Sequence, residues 1–439
     1  MPDLEQKEFM IEKIKERPVN KKKLIRRTLI TAAMAVIFGL IACFTFLVLE
    51  PVISNWLYPE EEPQIVVFPE DQEEMSPEEM LSDNMQAESH ETEPAEPPAV
   101  LEEKQIQEIL SGITLDKNHY KQLYSALTDY VKELNQYMVT ITGVTSNIDW
   151  FNNVQESKDQ SSGVIIANNG KELLVLADST PIKHAEKLTL TFHNGIQAQA
   201  QLKQKDSFTN LAVYAVSLAD LPAEQKEDII KIAPLGSSNV KNVTGMPVIA
   251  VGSPMGVSDS IGYGMIAAVS RLSVTDRNYK LLLTDIYGSQ NAGGVLFNLQ
   301  GQVMGIITSN KTGSDMKNII NAYGISGLKK VVTKLSNGEQ VAYVGISGVD
   351  VTEEAHEELG LPYGAYIKEV DMDSPAMLAG IQQGDVLVSM GEKSVMNYSA
   401  YVDLLLDFQA GETAQFKIMR QVQDEYKEMN FSIILGEAR

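Results

Sequence analysis

A chain of 439 residues, 44 % of them hydrophobic, is long enough for two or more domains with ordinary cores. Its 36 Lys and Arg against 59 Asp and Glu leave a formal net charge of −23, which argues against a nucleic-acid or anionic-surface partner, because phosphate binding relies on clustered cations. The single cysteine, Cys43, excludes an intramolecular disulfide framework, so stability has to come from packed cores.

The N-terminus carries Lys21-Lys22-Lys23 and Arg26-Arg27, followed by an uncharged apolar run over 28–49, about the length that crosses ~30 Å of hydrocarbon as a helix. The run is longer than a signal-peptide core and lacks a small-x-small cleavage site after it, so an uncleaved single transmembrane helix is expected. Lys and Arg are absent from 28 to 103. The positive-inside rule then places the basic tail, residues 1–27, in the cytoplasm and everything beyond 49 outside the cell membrane. Residues 50–104 read as an acidic, Pro-rich linker. Glu60-Glu61-Glu62-Pro63, Glu73-Glu74 and Glu93-Pro94-Ala95-Glu96-Pro97-Pro98 combine like charge with proline, and such a segment is expected to be a disordered spacer. Its carboxylates lack the regular spacing and turn glycine of a calcium loop.

Over residues 105–136, Ile106, Ile109 and Leu110, then Tyr120, Leu123, Leu127, Tyr130 and Val131, recur at helical spacing and predict a helical lead-in of two helices. From 137 to 337 the pattern is β: Leu173-Leu174-Val175-Leu176, Leu211-Ala212-Val213-Tyr214-Ala215-Val216 and Val248-Ile249-Ala250-Val251 are typical. Many short strands with turn signals between them indicate a sandwich or barrel pair and not βαβ units.

Within that region Asn291-Ala292-Gly293-Gly294-Val295-Leu296 lies between two β-rich runs, and its Gly pair permits a tight turn whose N–H groups can face a ligand. The stretch resembles the active-site turn of trypsin-like serine proteases, most closely the HtrA (DegP-like) family, whose motif reads Gly-Asn-Ser-Gly-Gly-Pro-Leu. Ser162-Gly163-Val164-Ile165-Ile166, Asn210-Leu211-Ala212-Val213, Val251-Gly252-Ser253-Pro254-Met255-Gly256 and Tyr263-Gly264-Met265-Ile266 follow in the family's order. The resemblance implies two six-stranded β-barrels with a cleft between them.

It also implies where a catalytic triad would sit. Ala292 stands where the family has its nucleophilic serine, Asn210 where it has its aspartate, and Asp178, in Ala177-Asp178-Ser179-Thr180-Pro181, in the stretch that would hold the histidine. A methyl group forms no acyl-enzyme, and a neutral amide does not balance an imidazolium. The oxyanion turn maps to Gln290 and Gly293, with Gln290 replacing a glycine and the segment from Asp285 to Ala292 one residue shorter than the family pattern. Ser289 and His184 lie close to the mapped positions, but a loop serine and the strand-flanking His184 and His193 read as solvated surface. Small displacements of a catalytic group cost large factors in rate. No catalytic residue is expected, nor any metal or other cofactor, since His90, His119 and His356 are scattered and no cluster has metal-site spacing.

After the turn Ser336-Asn337-Gly338, residues 338–439 form a separate unit. Tyr343-Val344-Gly345-Ile346, Ser374-Pro375-Ala376, Ala379-Gly380-Ile381-Gln382-Gln383-Gly384-Asp385-Val386-Leu387 and a helix near Tyr398 resemble a PDZ domain of the HtrA type. By that resemblance the peptide-binding residues are Tyr343, Val344, Gly345 and Ile346, the last three offering backbone N–H groups to a terminal carboxylate, with Tyr343 equally well placed as core filling. Along the helix, Tyr401, Leu405 and Phe408 have core spacing first and groove spacing second. The chain is thus expected to be mainly β: a trypsin-like double β-barrel, then an α/β PDZ domain, behind a membrane helix and acidic linker. The implied function is that of a membrane-anchored pseudoprotease that binds extracytoplasmic polypeptides or C-terminal peptides in protein quality control, as a homo-oligomer, by resemblance a trimer, or with an active relative. The alternative is a serine endopeptidase with an altered site.

Overall fold

The computed structural model describes residues 21–57, 63–71, 117–148, 154–308, 318–423 and 425–437. The expectations for the first 20 residues, for 72–104, for the first of the two lead-in helices and for His90 fall outside them. Helix α1 (Lys21–Leu57) forms a unit of its own with the residues up to Glu62. Its stretch Ile25–Thr45 has a mean hydropathy of 2.2 and no buried side chains, enough in length and composition to cross a membrane. Its polar side chains stay local: the Thr31 hydroxyl donates to Arg27 O at 3.0 Å and the Thr45 hydroxyl to Ile41 O at 2.7 Å.

In the second unit, α2 (Lys117–Leu134) leads into β1 (Met138–Ile148), β2 (Val154–Asn168), β3 (Glu172–Asp178), β4 (Lys187–Phe192), β5 (Gln197–Lys205) and β6 (Leu211–Ser217), which close as a barrel in the order β1-β2-β3-β6-β5-β4. After the short α3 (Lys226–Ile229), β7 (Pro247–Ser253), β8 (Ser260–Val274), β9 (Arg277–Tyr287), β10 (Gly293–Phe297), β11 (Val303–Thr308) and β12 (Ile319–Gly324) close a second barrel, in the order β10-β11-β12-β9-β8-β7. The short β-rich runs left a sandwich or a barrel pair open, and the two six-stranded barrels implied by the resemblance are present.

Those runs are continuously apolar because both faces of the strands are buried. In β3, Leu173, Val175 and Ala177 fill the first barrel, while Leu174 and Leu176 point into the seam between barrels. Strand β6 divides the same way, with Ala212, Tyr214 and Val216 inside and Leu211 and Val213 in the seam. From the second barrel, Ile249, Val251, Val295 and Phe297 meet them there. Helix α4 (Ile325–Ser336) seals the seam with Leu328, Val331, Val332 and Leu335, all fully buried. Each such side chain contributes about 1.5–3 kcal/mol on removal from water.

The C-terminal unit is built from β13 (Ala342–Tyr343), β14 (Ile346–Asp350), α5 (Glu353–Leu359), β15 (Ala365–Val370), α6 (Pro375–Ala379), β16 (Val386–Met390), β17 (Lys393–Ser394), α7 (Tyr398–Leu405), β18 (Thr413–Val422), β19 (Glu425–Ile434) and β20 (Gly436–Glu437). Its main sheet runs β14-β15-β16-β18-β19, with β17 on β16, and β13 pairs with β20. Strand β14 is an edge, and α7 packs beside it, with the Tyr398 ring lying directly over Gly348. The glycine-rich turn before β16 is tied down by Arg420, which grips Asp385 through two bonds of 2.7 Å and donates to Gly380 O at 2.8 Å.

Within the stretch expected to be a spacer, residues 63–71 lie along the double barrel. The Val66 N–H donates to Asn337 Oδ1 at 3.0 Å, Asn337 Nδ2 returns a bond to Val66 O at 2.7 Å, and the Phe68 N–H donates to Thr333 Oγ1 at 3.2 Å. Asp71 accepts from Ser237, Ser326 and Lys329. The reason is local: Ile65-Val66-Val67-Phe68 is an apolar run inside an acidic context, and Val66 and Phe68 pack on the seam cluster. Burial pushes the Asp71 carboxyl up, but the hydrogen bonds from Lys329, Ser326 and Ser237 outweigh it and hold the group below the usual carboxylate range. A depressed folded pKa stabilises above the unfolded value, about 3.9, and that contribution is lost as pH falls through the folded value. Asp71→Asn is therefore expected to lower stability by roughly 1–3 kcal/mol at pH 7 in urea denaturation. The gap between variant and wild type should shrink once the pH drops below about 4.

Candidate functional site

The cleft between the barrels is walled by residues from both: Lys158, Asp159, Gln160, Ser161, Asp178, Thr180 and Pro181 on one side, Ser253, Gly256, Val257, Ser258, Asn291, Ala292 and Gly293 on the other. Asp178 and Ala292, inferred from resemblance as two of the triad positions, thus face one cleft from opposite sides. Asp178 ends β3 opposite Leu211 of β6 and is buried; its Oδ1 accepts the Thr180 N–H at 2.7 Å, and its carbonyl accepts from the Ser161 hydroxyl at 2.7 Å. Asn210 stands immediately behind, in the left-handed conformation at φ 60°, and its carbonyl accepts both the N–H and the hydroxyl of Ser179 at 2.8 Å. Of the three positions, Asp178 and Ala292 line the cleft, while Asn210 is tied to Ser179 beside Asp178. Burial, and next the Asp178 charge, push the Tyr214 hydroxyl upward, so it stays neutral beside this carboxylate.

Ala292 is 6 % exposed, and its methyl packs with Leu296, Ile307 and Ile320 in the second barrel's core. The turn before it closes on itself. The Ala292 N–H donates to Ser289 O at 3.1 Å, and the Asn291 N–H to the Ser289 hydroxyl at 3.2 Å. An oxyanion hole needs the N–H at the nucleophile position free and aimed at the incoming oxygen. Here that donor is used within the turn, and Gln290, at the other donor position, is exposed. Gly294 is held at φ 115°, where a Cβ would come 2.2 Å from Val251 O, so its lack of a side chain serves the close pairing of β10 with β7.

The histidines lie elsewhere. His184 is exposed and His193 sits 3.7 Å from Asp228 Oδ2; neither they nor Ser289 line the cleft. His356 stacks on Tyr363 and its Nδ1 is 2.6 Å from Leu361 O. Among the described residues, no histidine lines the cleft wall.

The second site is the loop between β13 and β14. The N–H groups of Val344, Gly345 and Ile346 converge on one point, and a carboxylate already occupies it: Asp276 Oδ2 accepts from Val344 and Gly345, each at 2.6 Å, and Oδ1 accepts from Ile346 at 3.1 Å. The Tyr401 hydroxyl adds a fourth bond at 2.5 Å. The loop's carbonyls face away, Val344 O accepting from the Ala376 N–H and Gly345 O from the Asp371 N–H, both at 2.9 Å. Such alternation makes three successive N–H groups a cradle for an anion. Gly345 sits at φ 90°, with Ser374 only 2.2 Å from where a Cβ would be, so both conformation and space require glycine. Tyr343 takes no part in the cradle; its hydroxyl donates to Asp371 Oδ2 at 2.8 Å.

Asp276 escaped the sequence analysis. It is the second residue of the Thr275-Asp276 turn joining β8 to β9, held at φ 55°, and is fully buried. Its own N–H donates to Ile346 O at 2.9 Å, while the Tyr398 hydroxyl bridges Ile346 O and Val274 O at 3.1 Å each. Arg277 fixes the turn from the other side, donating to Asp276 O at 2.7 Å with its guanidinium 5.2 Å from the Phe208 ring centroid. A Thr-Asp pair between two strands signals a turn; nothing in it signals a partner in another domain.

Comparison with known proteins agrees with this architecture. Residues 161–306 match the family described as "Trypsin-like peptidase domain" and residues 342–434 the family described as "PDZ domain". The "Serine protease Do-like HtrA" of Bacillus subtilis (strain 168) is 26 % identical over 333 residues, covering 70 % of this chain and 72 % of that protein. The "Probable periplasmic serine endoprotease DegP-like" of Halomonas elongata is 29 % identical over 290 residues, which span 64 % of this chain and 57 % of that protein's length. Among solved structures, "HtrA-type protease AlgW with decapeptide" shares the fold with a TM-score of 0.51 at 20 % identity, over 69 % of this chain and 96 % of that one. Strand order, motif positions and these matches together show a trypsin-like peptidase domain followed by a PDZ domain, similar to the HtrA and DegP-like proteases.

Proposed function

We propose that this HtrA-like protein is a non-catalytic, membrane-anchored binder of extracytoplasmic polypeptides, gripping C-terminal carboxylates through its PDZ domain as a scaffold or regulator in protein quality control. The observation that carries the reading is the chemistry of the cleft wall. Where an attacking oxygen would stand there is the Ala292 methyl, and the backbone donor beside it is spent on Ser289 O. A serine mechanism needs a hydroxyl, an imidazole to take its proton and free donors for the oxyanion. Asp178, Asn210 and Ala292 offer none of these roles to one another.

The binding half of the proposal rests on the three N–H groups of Val344, Gly345 and Ile346, whose geometry suits a carboxylate. That a protein of the same fold is described with a decapeptide is in keeping with it. The apolar stretch Ile25–Thr45, preceded by Lys21, Lys22 and Lys23, supports anchoring in the cell membrane with the N-terminal tail in the cytoplasm. Assembly as a homo-oligomer, or with an active relative, is part of the same proposal.

Two experiments test it. The full chain in lipid nanodiscs should leave an unfolded protein substrate intact and take no label from a fluorophosphonate probe; labelling at any serine would establish the endopeptidase alternative instead. Ala292→Ser should likewise stay unlabelled, because a hydroxyl without its base and oxyanion donors loses about 10³-fold or more in rate. Separately, the immobilised chain should retain peptides with a randomised C-terminus and a free carboxylate in preference to the same pool amidated. Equal retention of both pools would refute carboxylate recognition.

A further inference from the structure

We infer that Asp276 is a built-in competitor for the PDZ cradle: the β8–β9 turn of the second barrel holds the place of a peptide C-terminus, so a partner's terminal carboxylate binds only by displacing it. This rests on the peptide-binding reading above and adds its regulation. The mimicry is complete at the level of hydrogen bonds. An extended peptide added to a sheet edge brings a terminal carboxylate and, one bond back, a backbone N–H that pairs with the edge strand. Asp276 supplies both, its side-chain carboxylate to Val344, Gly345 and Ile346 and its own N–H to Ile346 O.

Neighbouring contacts show that the turn is seated and not merely adjacent. The Thr275 hydroxyl lies 3.2 Å from the Ser347 hydroxyl of the edge strand, and Asn278 Nδ2 donates to Ser399 Oγ of α7 at 2.9 Å. Tyr398, only 2 % exposed, spans the space between α7 and β14 and bonds to both the turn and Ile346. While the turn is in place, the cradle and the Ile346–Ser347 end of the edge strand are taken. Opening frees three N–H groups at once and uncovers the Asp276 charge, which then finds water. A peptide's terminal carboxylate restores all three bonds, and its arrival releases the PDZ domain from the β8–β9 hairpin.

Competition of this kind multiplies the intrinsic affinity by the open fraction, so a groove open roughly 1–10 % of the time binds about 10- to 100-fold more weakly than a free one. Asp276→Asn is the test, because asparagine tolerates the left-handed turn but turns a neutral amide, partly donor, toward four donors. In the full chain in nanodiscs, amide exchange across 344–346 should rise at least about tenfold, and the free-carboxylate pool should bind about tenfold tighter or more, with no gain for the amidated pool. Tyr401→Phe removes one donor, leaves the turn unaltered, and should shift both readouts in the same direction by less. Unchanged exchange in both variants would overturn the inference. Faster exchange with equal carboxylate binding by variant and wild type would also overturn it, leaving the peptide reading intact. Faster exchange with no binding by either would sink the peptide reading and, with it, the competition.

Discussion

The molecule depends on strands buried on both faces. One face of β3, β6, β7 and β10 fills a barrel, and the other is pressed into the seam, so each barrel's core and the joint between barrels are made by alternate residues of the same runs. A one-residue slip in such a strand exchanges one apolar face for another and meets little resistance from polarity alone. Closure sets the register instead: β1 pairs with β4 and β10 with β7, fixing every strand between. The cleft is where that seam runs out, and it brings Asp178 and Ala292 to its two sides whatever chemistry they carry.

A second constraint binds the PDZ domain to the barrels. A carboxylate removed from water is costly unless its lone pairs are met, and Asp276 has four donors to meet them. Burial still pushes its carboxyl upward against the pull of Tyr401 and the three N–H groups. Three of the groups that make this burial tolerable, the N–H groups of Val344, Gly345 and Ile346, are the ones the proposed peptide would need. Stability of the domain arrangement and availability of the groove are therefore opposed in one set of bonds.

What could be read from the sequence was local. The runs around Leu173 and Leu211 announced strands, their order matched a known plan, and the turn at Ala292 and the loop at Gly345 could be placed because each is a contiguous motif. That Gly345 must be glycine was not legible there, because its positive φ and the Ser374 side chain pressed against it are what demand it. What escaped was long-range. Asp276 meets Gly345 across 69 residues of sequence, and no periodicity encodes such a meeting. The apolar run Ile65-Val66-Val67-Phe68 was hidden for another reason, since a composition averaged over an acidic stretch dilutes a short alternation of which only Val66 and Phe68 pack on the seam.

The self-closed turn at Ser289 and Ala292 has a thermodynamic corollary. A working oxyanion site keeps N–H groups unmatched while it waits for substrate, and that vacancy is a standing penalty on the folded state, one form of the trade between activity and robustness. Here the Ala292 N–H is matched at rest and the methyl beside it sits among hydrocarbon. The hydrogen bonding of this turn is thus complete without any guest.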